Sequence, residues 1–248
     1  MVNIDDLRQL IARHISNAFG NNVAFLIGCG NLGRGNFKED WSDLDVLLVL
    51  RDIDLEALTI VNQLVEVIQN ETNLETDIAV MSELDLQKGS VYKLPDKFIN
   101  YMYFIDQESV ILGNEKLFRR MSKEEYLTAC RMHILDRKRG VEKLIVSGIS
   151  KPDMHIKLLT RSVKILFLIL RKISADEHVQ PNTYDEAVEQ VIARDLPFNV
   201  DRLKLLAGIR DIGLAGIKAM TNEERLSLLA KCYDSLNEIC NYHTSQNE

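Results

Sequence analysis

Apolar residues recur at helical spacing at the start of the chain, where Ile4, Leu7, Leu10, Ile11, Ile15 and Phe19 share one side of an amphipathic helix. Gly20-Asn21-Asn22 then supply breakers, so the pattern predicts a helix ending near residue 20. Val23 to Ile27 is short and continuously apolar and reads as a buried strand. A glycine-rich turn follows, then a second apolar run at Leu44 to Leu50, a helical stretch from about Leu55 to Gln69 and a short strand at Asp77 to Met81. Strand, turn, strand, helix, strand is the order of an α/β or α+β domain.

Strand patterns fade after about residue 115 and long helical ones take over, at Lys123 to Ser147, His155 to Ile173, Thr183 to Arg194 and Asn222 to Tyr242. Gly148 to Pro152, Pro181 and Pro197 separate them. This change predicts an amino-terminal domain over 1–117 and a helical carboxyl-terminal bundle over 118–248, an α+β chain whose first half is α/β-like. The longest apolar run, Ile165 to Leu170, is flanked by Lys164 and Arg171. It falls far short of the roughly 20 residues a bilayer needs.

Charge narrows the partners. The 248 residues carry 30 Lys+Arg against 37 Asp+Glu, a net charge of −7. That balance argues against a protein that coats nucleic acid, which needs a basic footprint. It leaves room for a single nucleotide or a cationic small molecule at a local site. Cys29, Cys130, Cys232 and Cys240 stand far apart with no C-x-x-C, so neither a zinc pattern nor a disulfide framework is signalled. A reducing, cytoplasmic setting is the expectation, and Met1 to Leu10, which carries Asp5 and Asp6, has no basic-then-apolar secretory pattern.

Gly28, Gly30 and Gly33 satisfy G-x-G-x-x-G directly after a strand, which taken alone suggests dinucleotide binding. That fold requires the next strand to be parallel, and a parallel connection takes a dozen or more residues, mostly helix. Between Ile27 and Asp43 there is room only for a turn or so of helix and a loop, interrupted by Gly33, Gly35 and Asn36. The carboxylates beyond the loop are more informative. Asp43 and Asp45 stand at i and i+2 at the head of an apolar strand, so both leave one face about 6 to 7 Å apart. Aspartate is depleted in strands, and two like charges side by side are costly unless a cation lies between them. Mg²⁺ suits such a pair, because it binds one or two carboxylates together with substrate phosphates. Asp77 opens the next apolar strand and joins the pair if that strand lies alongside.

Gly30-Asn31-Leu32-Gly33-Arg34-Gly35, then Ser42-Asp43-Leu44-Asp45, then Asp77-Ile78-Ala79-Val80 resembles the nucleotidyltransferase superfamily that includes DNA polymerase beta, and within it the kanamycin-type antibiotic and minimal nucleotidyltransferases. The motifs cover about residues 23 to 81. The resemblance implies a mixed sheet with flanking helices followed by a helical bundle. It also implies Mg²⁺-dependent transfer of a nucleoside monophosphate, AMP from ATP or another NTP, to an acceptor hydroxyl. Asp43, Asp45 and Asp77 would be the catalytic and metal-binding residues, and Gly30, Asn31, Arg34 and Ser42 the nucleotide-binding ones. The acceptor is expected to be a small molecule such as an aminoglycoside-like polycation; a protein or tRNA acceptor, a catalytically degenerate nucleotide-binding module and a homodimer stay open.

The chain departs from the family at Asn31, where serine is usual, and its loop from Gly35 to Trp41 is slightly longer, which unsettles where Lys38 and Trp41 lie. The base that deprotonates the acceptor is left among Asp77, Glu108, Glu124 and Glu125. Arg131, Arg137, Lys138, Arg139 and Lys143 read as a solvated helix face. Arg171 and His178 superficially match the R-x(4–6)-H motif of HEPN ribonucleases, against which Lys172 and the loop position of His178 weigh.

Overall fold

Asn3 begins the first helix, its side-chain oxygen accepting from Asp5 N at 3.0 Å, and α1 runs Ile4–Phe19 with Leu7, Ile11 and Ile15 buried. The computed structural model describes residues 3–35, 37–38, 41–88, 99, 102–103, 109–113, 121–175 and 180–245. After a 3₁₀ turn at Gly20–Asn22 come β1 (Val23–Cys29), α2 (Gly30–Arg34), β2 (Leu44–Leu50), α3 (Leu55–Thr72), β3 (Thr76–Ser82), α4 (Glu83–Lys88) and β4 (Ser109–Gly113). Asp54 caps α3, accepting from Ala57 N at 2.7 Å.

The four strands form one mixed sheet in the order β3-β2-β1-β4. β1 runs antiparallel to both β2 and β4, and β2 runs parallel to β3, with α3 as the crossover. The antiparallel β1–β2 pair excludes the dinucleotide-binding reading of Gly28, Gly30 and Gly33, which requires parallel neighbours. One face of the sheet, with Leu26, Leu44, Val46, Leu48, Leu50 and Ile78, packs against Leu7, Ile11 and Ile15 of α1 and Ala57, Val61, Leu64 and Ile68 of α3. Each fully buried aliphatic side chain there contributes on the order of 1.5–3 kcal/mol.

The chain divides into two units, Met1–Tyr126 and Leu127–Glu248. α5 (Lys123–Gly148) carries the chain from the first into the second, which otherwise contains α6 (His155–Ile173), α7 (Tyr184–Ala193), α8 (Val200–Ala219) and α9 (Asn222–Ser245). α6 packs along α9, and their buried residues include Leu159, Val163, Leu166 and Leu170 on one and Leu229, Cys232, Leu236 and Ile239 on the other. Phe167 stacks on Tyr184 at 4.0 Å, tying α7 to α6. This is the α+β sheet domain and helical second half that the apolar pattern predicts.

Three described elements escape that pattern: α4, β4 and α8. α8 contains Gly208, Gly213 and Gly216, and Gly213 leaves helical geometry altogether (φ 63°, ψ −171°), so two short helical pieces meet at a kink. Among the described residues no helix is long and apolar enough to cross a membrane. All four cysteines are free thiols and buried.

Candidate active site

The glycine turn is built onto the carboxyl end of β1. A Cβ at Gly28 would meet Leu32 Cγ at 3.1 Å and Ile111 Cδ1 at 3.3 Å, so glycine lets α2 lie down on the strand, with Leu32 fully buried. Cys29 is the N-cap of α2 and makes no side-chain capping bond. At the other end of α2, Arg8 of α1 donates from one guanidinium nitrogen to the carbonyls of Leu32 and Gly33, each at 2.8 Å. Those are carbonyls a helix terminus cannot satisfy by itself. Arg8 carries no sequence signal, since its partners lie 24 and 25 residues away.

Ser42 organises the loop into β2. Its backbone N–H and that of Trp41 both donate to the Lys38 carbonyl, at 2.8 and 3.2 Å. Its Oγ accepts from Lys38 N at 2.9 Å and from Asn31 Nδ2 at 3.1 Å. These bonds and the burial of Trp41 (4% exposed) settle the two loop positions that the longer Gly35 to Trp41 segment left in doubt.

Leu44 N donates to the Glu75 carbonyl at 2.8 Å, and the parallel ladder that follows pairs Leu44 with Thr76 and Asp45 with Asp77. Strand alternation sends Leu44 and Ile78 into the helix-side core and sends Asp45 and Asp77 to the opposite face. Adjacent strands are about 4.8 Å apart, so these two carboxylates are direct lateral neighbours. On the other flank Cys29 of β1 pairs with Asp45. Asp43 and Asp45 are half-buried and Asp77 is exposed. The sheet thus gathers the three aspartates at the end where α2 leaves β1.

Two like charges on adjacent strands are destabilising alone, and a cation between them offsets that cost. Carboxylate oxygens are the hard donors Mg²⁺ prefers, and this ion needs only one or two of them when phosphate and water complete its octahedron. A pair of these carboxylates would therefore suit Mg²⁺ only with nucleotide oxygens as further ligands. Among the described residues, no group of three or more His, Cys, Asp or Glu side chains could hold a metal ion.

Gly30 opens α2, and Arg34 closes it with a side chain outside the described residues. Glu125 is engaged in a capping box at the start of α5: Ser122 N donates to its carboxylate at 3.0 Å and its own N–H donates to Ser122 Oγ at 3.3 Å. Glu124 is exposed on α5, and Glu108 lies outside the described residues, as does His178. Arg171 is buried and donates from Nε to the Pro181 carbonyl at 2.6 Å. Lys138 and Arg139 pair with Glu142 and Asp136 of their own helix, at 2.6 and 3.4 Å, and Arg137 and Lys143 are exposed.

No family model and no curated protein matches the chain by sequence. A nucleotidyltransferase-like protein from Exiguobacterium sibiricum 255-15 aligns over 95% of this chain and 75% of its own at 13% identity, with a TM-score of 0.27, too loose to argue from. The spectinomycin adenyltransferase AAD(9) from Enterococcus faecialis, solved with ATP and spectinomycin, superposes with a TM-score of 0.60 over 95% of this chain and 100% of its own, at 15% identity. The chain thus shares its overall fold with a known adenyltransferase over 95% of its own length and 100% of that protein's, and it has the nucleotidyltransferase fold.

Proposed function

We propose that the protein is a nucleotidyltransferase that transfers AMP from ATP, in the presence of Mg²⁺, to a hydroxyl of a small polar acceptor and releases pyrophosphate. The observation that carries this reading is the parallel register that sets Asp45 beside Asp77, with Asp43 two residues upstream, where the glycine turn leaves the sheet. The likeness in fold to a protein solved with ATP and spectinomycin supports it.

Asp43 and Asp45 would hold Mg²⁺ as a pair, with nucleotide oxygens as further ligands, and the ion when bound supplies charge neutralisation to the triphosphate. Gly30 at the head of α2 brings backbone close to the phosphates, with Ser42 and Arg34 on the same turn and loop. The acceptor oxygen forms its bond to the α-phosphorus as the bond from that phosphorus to the pyrophosphate oxygen breaks, and the electron pair leaves with pyrophosphate. The carboxylate of Asp77, the most exposed of the three, takes the proton from the acceptor hydroxyl. The acidic surplus of the chain favours a cationic acceptor, of which aminoglycoside-like molecules are the model.

A second reading, a catalytically degenerate nucleotide-binding module, draws on Asn31, which stands where serine is usual and whose amide is committed to Ser42. One experiment separates the two. Labelled ATP and Mg²⁺ are offered with aminoglycosides, lincosamides, tRNA and cell lysate, and AMP transfer is measured for the native chain and for Asp45→Asn. Transfer to one acceptor class, abolished in a variant with an unchanged circular dichroism spectrum, is the expected result. Full activity in Asp45→Asn would overturn the assignment, and ATP binding without transfer to any acceptor would favour the module.

A further inference from the structure

The side chain that the family resemblance offers to the nucleotide is turned toward the protein. Asn31 Nδ2 donates to Ser42 Oγ, and Lys38 N donates to the same oxygen. A serine hydroxyl has two acceptor positions and one proton. Both acceptor positions are filled here, in a residue only 5% exposed, so the hydroxyl is held in place and what it has left to give is its proton. Ser42 directly precedes Asp43, and a hydroxyl bonded to an anionic oxygen makes the stronger, charge-assisted kind of hydrogen bond.

The geometry points to Asn31 as a positioning residue: it holds Ser42 so that the serine hydroxyl, rather than the Asn31 amide, donates to a phosphate oxygen of the bound nucleoside triphosphate. This assignment rests on the nucleotidyltransferase reading above. It has a consequence opposite to what the family resemblance alone suggests. Asn31→Ser, which installs the usual family residue, places a hydroxyl one bond short of where Nδ2 now sits. It strips Ser42 of its side-chain donor and weakens nucleotide binding instead of restoring it.

The test is a double-mutant cycle on ATP affinity, measured by calorimetry with Mg²⁺ on the full chain, using Asn31→Ala, Ser42→Ala and the pair. Asn31→Ala is expected to weaken ATP binding about tenfold, the factor carried by one hydrogen bond of roughly 1.4 kcal/mol. In the Ser42→Ala background the same change is expected to do nothing further. With an acceptor in hand, KM for ATP rises while kcat holds, because the contact is made in ground and transition states alike. A merely structural loss would instead lower kcat per mole of protein and leave KM in place. Additive effects would mean that Asn31 meets the nucleotide itself and would overturn the assignment, as would unchanged affinity in Asn31→Ala or full affinity in Asn31→Ser. A native chain with no affinity for any nucleotide removes this inference and the function together. A chain that transfers AMP, loses transfer in Asp45→Asn and ignores Asn31→Ala removes only the inference.

Discussion

Replacing Arg8 with methionine removes the guanidinium that ties α1 to the end of α2 and keeps an unbranched stem of similar packing volume. The structure sets the size of the effect. Two bonds from a charged donor, each 2.8 Å, end on the Leu32 and Gly33 carbonyls, and the Arg8 side chain is 25% exposed. Hydrogen bonds to charged groups contribute about 1.5–3 kcal/mol each. One nitrogen serves both carbonyls and some solvent reaches it, so the expected loss is about 3 kcal/mol rather than the sum. The ion pair to Asp5 at 3.1 Å is a small part of this, because Asp5 is 76% exposed and such pairs are worth at most about 1 kcal/mol. The chain's single tryptophan, Trp41, is buried in the same unit as Arg8 and reports its unfolding. In urea, with a slope of about 2 kcal/mol per molar, Arg8→Met should lower the midpoint by about 1.5 M, and Asp5→Ala by less than about 0.5 M. Equal shifts in the two variants would show that the ion pair, not the carbonyl anchor, carries the energy. No shift in Arg8→Met would show that α2 holds its place without the arginine.

Gly113 has φ 96° opposite Phe25 in the β1–β4 ladder, and a Cβ there would collide with the Ala24 carbonyl and the Phe25 backbone. Gly113→Ala should therefore cost about 2 kcal/mol or more, read as a lowered thermal midpoint, and a variant as stable as the native chain would contradict the described β4 pairing. Burial, and secondarily the Arg131 charge, push the His243 imidazolium below its ordinary value of 6.5. The unfolded chain then binds that proton more readily, so this contribution to stability is complete above about pH 6.5 and is lost as pH falls toward the depressed folded value. His243→Gln should flatten the fall in urea midpoint between about pH 7 and 5, and an unaltered slope would place the titrating group elsewhere.

What the sequence makes legible depends on how local the physics is. β2 is apolar on both faces from Leu44 to Leu50 save for Asp45, and its bounds can be read directly. Helix α6 carries a strong apolar stripe and is equally plain. β4 has five residues and owes its place to the β1 edge, and α8 is masked by three glycines whose effect on a helix depends on which of them, Gly213, takes the kink. The aspartates announce themselves because charge at the head of an apolar strand is locally anomalous. Their convergence is not local: Asp45 meets Asp77 only because α3 carries the chain back for a parallel return.

The glycine turn shows why a motif underdetermines a site. Gly28, Gly30 and Gly33 satisfy a dinucleotide fingerprint letter by letter, yet the direction of β2 decides the matter, and it follows from arithmetic that the motif does not contain. The connection from β1 to β2, broken by Gly33, Gly35 and Asn36, leaves no room for a full crossover helix and holds only the five-residue α2, and the strands run antiparallel. Once they are antiparallel, the amino end of β2 lies beside the carboxyl end of β1, and Asp45 comes level with Cys29 at the root of α2. The same short connection brings Ser42 back within reach of Asn31, eleven residues earlier. The glycine-broken connection that excludes one cofactor chemistry is therefore the physical cause of the arrangement that suits another: a dinucleotide fold would have carried these carboxylates to the far end of the sheet.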